Sequence, residues 1–127
     1  MPWEIQYDPA RETVEVTTAG PLSDEEAKQM TERAIALLKE TQATRVLGDC
    51  RELVAGPSLG AVYWLVNDYA DRGVPRETRI ALVHSEAPQV LELAQFYETV
   101  CFNRQYEAKT FRTRAAAEAW LCSGVAA

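Results

Sequence analysis

The sequence predicts an α/β domain: a five-stranded, mostly parallel sheet with an antiparallel N-terminal edge strand and helices mainly on one face. Three observations carry this expectation. Residues 3–17 alternate apolar and polar positions through two short runs, the period of paired strands. Beyond them, strand-length apolar runs alternate with amphipathic stretches of helical period, which calls for crossover connections and therefore parallel pairing. Finally, 127 residues, 47% of them hydrophobic and 25% charged, suffice for one ordinary core, so residues 1–127 read as a single domain.

Trp3, Ile5 and Tyr7 alternate with Glu4 and Gln6, and Asp8-Pro9-Ala10-Arg11 is turn chemistry. Val14 and Val16 then alternate with Thr13, Glu15 and Thr17, completing a hairpin that Gly20-Pro21 ends. Ser23-Asp24-Glu25-Glu26 reads as a capping box. Ala27, Met30, Ala34, Leu37 and Leu38 follow at helical spacing as far as Thr41. Arg45 to Cys50 is a short apolar strand, followed by a loop that ends at Gly56-Pro57. Ser58 caps a second helix with Ala61, Val62, Leu65, Val66, Tyr69 and Ala70 inward, and Gly73 suits its left-handed C-cap before Pro75. Arg79 to Val83 is the fourth strand, ending at His84-Ser85. Pro88 sits in the first turn of a third helix carrying Val90, Leu91, Leu93, Ala94, Tyr97, Val100 and Cys101. Glu107 to Arg112 reads as the fifth strand, and Thr113 starts a last helix with Ala116, Ala119 and Trp120. If strands two to five are neighbours in chain order, right-handed crossovers place every connecting helix on one face. The other face is then expected to be bare, in keeping with polar Thr13, Glu15 and Thr17 and small Gly48 and Ala81. A doubly wound sheet is the alternative, but four short helices barely cover two faces.

Composition excludes several functional classes. A net charge of −6 leaves no basic footprint, so neither nucleic acid nor a membrane surface is expected as a partner. Residues 1–40 hold nine acids against four bases, and the remainder ten against nine. Five of those nine acids lie on the first helix and read as a solvated face. The longest apolar run, Ala61 to Val66, is far below the roughly 18 residues of a membrane span. Met1-Pro2-Trp3-Glu4 has neither the basic start nor the apolar stretch of a signal peptide, so a cytoplasmic location is expected. Cys50, Cys101 and Cys122 are an odd, widely spaced set without a C-x-x-C motif, which points to a reducing compartment. Cys101 and Cys122 are expected to be small core residues. With His84 as the single histidine and no paired ligand spacing, no metal and no cofactor are expected.

The order of elements resembles the SpoIIAA-like family of small bacterial proteins, related to STAS and CRAL-TRIO domains. The resemblance rests on Val14-Glu15-Val16, Gly20-Pro21-Leu22-Ser23, Val46-Leu47-Gly48-Asp49-Cys50-Arg51 and Arg79-Ile80-Ala81-Leu82-Val83. It continues in Thr110-Phe111-Arg112-Thr113, Ala116 and Ala119-Trp120-Leu121, and so spans nearly the whole chain. It implies a STAS-type fold and a role in protein binding. STAS proteins of the anti-anti-sigma type carry a switch serine in an Asp-Ser-Ser-Gly-Leu-Gly-Ala-like stretch opening helix two. The stretch here reads Gly56-Pro57-Ser58-Leu59-Gly60-Ala61, with no aspartate before Ser58.

Ligands of open parallel sheets bind outside the carboxyl ends of the strands. That edge gathers the ligand-binding candidates Asp49, Cys50, Arg51, Ser58 and His84, with Ser85 beside them. Cys50 and His84 end neighbouring strands, and a Cys–His pair is the minimal activated thiol, with Arg51 or a helix N-terminus to lower its pKa. The competing reading is a buried cysteine and a loop histidine that never meet. No third orienting residue is identifiable, so no catalytic residue is assigned. Ser58 has a plain role as an N-cap, and aspartate there should cap equally well and suit the helix dipole. Asp49 can cap the loop or pair with Arg51 as readily as hold a ligand.

Tyr63 and Trp64 lie off the inward stripe of the second helix, and Phe96 and Phe102 lie beside that of the third. They are interface candidates, because aromatics concentrate where proteins meet. Mutual packing of the two helices is the plainer reading. The function expected from the sequence is a non-enzymatic cytoplasmic module that binds a protein partner or itself, as a homodimer. The alternative is a binding domain for a lipid-like apolar small molecule between helices two and three.

Overall fold

The computed structural model describes residues 2–123; Met1 and residues 124–127 of the single-domain reading lie outside the described residues. Nine elements follow in the order β1 (Trp3–Asp8), β2 (Thr13–Pro21), α1 (Asp24–Thr41), β3 (Arg45–Ala55), α2 (Leu59–Asn67), β4 (Arg79–His84), α3 (Pro88–Asn103), β5 (Glu107–Phe111) and α4 (Arg114–Cys122). The five strands lie side by side in chain order, β1 antiparallel to β2 and all other pairs parallel.

Local chemistry accounts for the boundaries. The Asp8 carboxylate accepts the backbone N–H groups of Ala10 and Arg11, making the turn that reverses β1 into β2. Ser23 and Glu26 form the expected capping box at the start of α1. Ser58 and Thr113 cap α2 and α4 through their hydroxyls.

Two boundaries and one helix face differ from the sequence reading. β3 does not end at Cys50 but runs on to Ala55, because β2 continues beside it: Ala19 pairs with Glu52, Gly20 with Leu53 and Pro21 with Ala55. Leu53 is thereby buried against Leu22 and Ala27. α2 ends at Asn67, before Tyr69 and well before Gly73. Gly73 does take the left-handed conformation (φ +87°), but in the turns that lead to β4 rather than as the C-cap. In α4 the inward residues are Ala117 and Leu121, while Ala116 and Ala119 are exposed.

The three connecting helices α1, α2 and α3 all pack on one face of the sheet, as right-handed crossovers between consecutive strands require. The opposite face is not bare. α4 lies on it, packing Ala117 and Leu121 against Leu47, Ala81 and Val83. Ala81 is small because a helix sits on it. Gly48 belongs to the other face, where an added Cβ would meet Leu82 Cδ2 at 2.7 Å.

Candidate functional site

Strand pleating divides the predicted site residues between the two faces. Cys50 and His84 pair in register on β3 and β4 and face α1–α3, whereas Asp49 and Arg51 lie on the α4 side.

On the α4 side, Arg51 holds Asp49 through two bonds, Nε to Oδ1 at 2.9 Å and Nη2 to Oδ2 at 2.7 Å. The Arg51 guanidinium keeps the Asp49 carboxyl below its ordinary 3.8, outweighing the opposing effect of burial. Arg114, at the start of α4, reaches Glu15 Oε2 at 2.7 Å, Glu118 Oε2 at 2.9 Å and Asp49 Oδ2 at 3.7 Å. Glu15 is therefore a buried charge with a partner, not a solvent-facing strand residue. Its bonds are all internal, so this group is an anchor for α4. Asp49 and Arg51 belong to that anchor.

On the helix-covered side lies an apolar cavity of about 170 Å³ between the sheet and α1–α3, walled by residues such as Val16, Ile35, Val66, Ile80, Leu82 and Tyr97. It runs beneath α2 and α3 rather than between them. Thr18, Cys50 and His84 line it from β2, β3 and β4 near the carboxyl end of the sheet. His84 Nδ1 donates to the carbonyl of Ser85 at 2.8 Å, because that carbonyl can only accept, and in the neutral ring Nε2 is then the acceptor. Burial pushes the Cys50 thiol up from its ordinary 9.0, the reverse of what a nucleophilic thiolate needs. Cys50 and His84 are thus strand neighbours, but burial works against an activated thiol. Cys101 is buried as expected, with its thiol pushed up to about 12 by burial, whereas Cys122 is exposed and not a core residue.

Ser58 sits where two helices begin together. Its hydroxyl accepts from Ala61 N at 3.1 Å and donates to Asp24 Oδ2 at 2.9 Å, while its backbone N–H donates to Asp24 Oδ1 at 2.7 Å. Asp24 is the first residue of α1, so one carboxylate ties the two N-termini together. An acidic partner for Ser58 therefore exists, supplied from 34 residues upstream rather than from the preceding position. Nothing in local spacing announces such a contact. Thr18, by contrast, was detectable: it occupies the inward position after Val14 and Val16 and breaks their apolar pattern.

The interface candidates also divide. Trp64 is 63% exposed and Phe102 75% exposed, and Leu59 lies uncovered on the same helix as Trp64. Tyr63 is exposed too; its ring packs edge-on against Trp64 at 5.2 Å, and its hydroxyl accepts from Arg104 at 2.8 Å. Phe96 is half-buried, packed against the core cluster. Among the described residues no helix is long and apolar enough to cross a membrane, and no His/Cys/Asp/Glu cluster is placed to hold a metal ion.

The sheet order and the one-sided crossovers define an α/β domain built on a mixed five-stranded sheet. Comparison with solved structures makes this specific: the chain has the SpoIIAA-like fold. It is similar to a Shewanella loihica PV-4 protein of the DUF3478 family with a SpoIIAA-like fold, at 23% identity and TM-score 0.65, covering 94% of this chain and 93% of that one. The anti-sigma factor antagonist SpoIIAA in its unphosphorylated form matches at 14% identity and TM-score 0.64, covering 97% and 99%. The Bacillus cell fate determinant SpoIIAA in its phosphorylated form matches at 17% identity and TM-score 0.57, covering 91% and 95%. No protein-family model and no curated protein matches the sequence.

Proposed function

We propose that this protein is a non-enzymatic cytoplasmic binding module of the anti-sigma factor antagonist type, acting through protein contact. The observation that carries this reading is the uncovered apolar face of α2, where Leu59, Tyr63 and Trp64 stand beside the Ser58–Asp24 corner. Likeness to SpoIIAA along almost the entire chain supports it. A tryptophan this exposed is costly to leave in water, and aromatic residues anchor interfaces. The contact is a two-fold homodimer through α2, in which each subunit buries the other's Trp64. Sedimentation equilibrium tests it: the wild type should dimerise at high micromolar concentration and Trp64→Glu should be monomeric. A wild type that stays monomeric there removes self-association from the reading.

A second reading draws on a separate observation, the apolar cavity under α2 and α3. An engineered cavity of about 150 Å³ lined by Leu, Ile and Phe binds benzene, so this volume suits one small apolar molecule. Native mass spectrometry of the purified protein reports any retained molecule directly.

A further inference from the structure

The cavity is apolar along most of its length, yet two of the polar side chains that line it are left unsatisfied. Thr18 is 2% exposed and Thr78 is fully buried; among the described residues neither hydroxyl has a hydrogen-bond partner. Buried hydroxyls are normally paired, and leaving one unpaired is costly. The two are not equivalent. Thr78 stands just before β4, at the amino end of the sheet, whereas Cys50 and His84 lie toward the carboxyl end. Thr18 stands level with Cys50 and His84, since Cys50 pairs with His84 and Thr18 lies between the Thr17–Asp49 and Ala19–Glu52 pairs. The neighbouring Cys50 thiol makes no hydrogen bond of good geometry with Thr18, and a thiol is a weak partner at best.

One end of the cavity therefore offers a hydroxyl able to donate or accept and a His84 Nε2 able to accept. No lysine or arginine lines the cavity, so a carboxylate or phosphate entering it would be desolvated without a counter-charge. The Tyr69 and Tyr97 hydroxyls, also on the wall, are already hydrogen-bonded to each other at 2.8 Å.

From this arrangement we infer that the cavity binds an uncharged apolar molecule of about ring size bearing a single hydroxyl, with that hydroxyl placed between Thr18 and His84. The ligand hydroxyl donates to His84 Nε2 and accepts from Thr18 Oγ1, and a turn about the Thr18 Cα–Cβ bond aims Oγ1 at it. The inference rests on the second reading above and adds to it the class of ligand and its orientation.

The test compares p-cresol with toluene, which differ only by the hydroxyl, by calorimetric titration of the full-length protein. A purely apolar cavity prefers toluene, because the hydroxyl must leave water unpaired. Here p-cresol should bind at least as tightly as toluene. Thr18→Val should weaken p-cresol about tenfold, the loss of one net hydrogen bond, and leave toluene unchanged. Thr18→Ser, which keeps the hydroxyl, should retain p-cresol binding and serves as the folding control. Toluene preferred in the wild type, or equal effects of Thr18→Val on both compounds, overturns the polar end while leaving the cavity as a ligand site. Binding of neither compound overturns the second reading and this inference with it.

Discussion

On one side of the sheet three helices stand over a cavity of about 170 Å³, while on the other α4 alone closes down on Leu47, Ala81 and Val83, all 1% exposed or less. The side with more apolar surface is the one less well filled. The α4 side follows another strategy. A nine-residue helix with two buried apolar residues has little surface to bury, and it adds ion pairs to the rest of the chain, Arg114 with Glu15 and Glu118 with Arg11. Hydrophobic area thus holds the larger layer with room to spare, and close fit plus charge holds the smaller.

The sharpest way to break this comparison is to add volume on each side. Ala117 is fully buried beneath α4, so Ala117→Leu should cost about 3 kcal/mol through overpacking. Ala94 borders the cavity, and Ala94→Leu should change stability by less than about 1 kcal/mol because the added atoms fill space. Urea unfolding of the two variants decides it. Equal losses would mean that the cavity side is as tightly packed as the other.

Next in size is the charged anchor. Arg114→Ala leaves Glu15 buried without its cation, and a loss of about 2 kcal/mol is expected, toward the low end for a buried pair because Arg114 is partly solvated. The double variant Glu15→Gln with Arg114→Ala should recover part of it. A loss below about 0.5 kcal/mol in Arg114→Ala would reduce the anchor to an ordinary surface ion pair.

What was legible in the sequence divides along the same line. Element order, the hairpin, the capping box and the single-sided crossovers follow from local periodicity and capping chemistry, which act over a few residues. α4 fell on the supposedly bare face because nothing in the spacing of Ala116, Ala119 and Trp120 says which face a terminal helix chooses. Polar Thr13 and Glu15 suggested solvent, and only Arg114, 99 positions after Glu15, makes that stretch buried. The carboxyl-edge cluster of candidates was right as an address. The edge divides between two faces because Asp49 and Cys50 are successive strand residues, and successive residues face opposite sides.

The rim shared by α1 and α2 gives a smaller effect. Ser58→Ala removes the cap and the bond to Asp24 and should cost about 1 kcal/mol in thermal or urea unfolding. Sequence alone makes Ser58→Asp benign, since aspartate caps well. The structure reverses that expectation, because Asp24 already occupies the corner and two carboxylates would face each other there. Ser58→Asp should therefore be less stable than Ser58→Ala, and Asp24→Asn should restore it. If Ser58→Asp matches the wild type, the Asp24 contact is not formed in solution.

The smallest effect separates the two sides by pH. Asp49, on the α4 side, has its carboxyl held below 3.8 chiefly by Arg51. A group with a lowered folded pKa contributes stability above its unfolded value, and that contribution is lost as pH falls below about 4. The helix-covered side holds Cys101, whose thiol burial pushes up to about 12. Here the folded state keeps a proton that the unfolded chain releases around 9.0, so the contribution is complete below that value and is lost as pH rises toward 12. The two sides should accordingly weaken at opposite ends of the pH range. Unfolding free energies measured from pH 2 to pH 10 on the wild type, Asp49→Asn and Cys101→Ala test this through slopes, which the packing cost of each substitution does not alter. Asp49→Asn should lie below the wild type at neutral pH and converge with it in acid. Cys101→Ala should keep the acid slope and flatten the alkaline one. Identical slopes in all three proteins would detach both residues from the pH response and leave the two sides distinguished by packing alone.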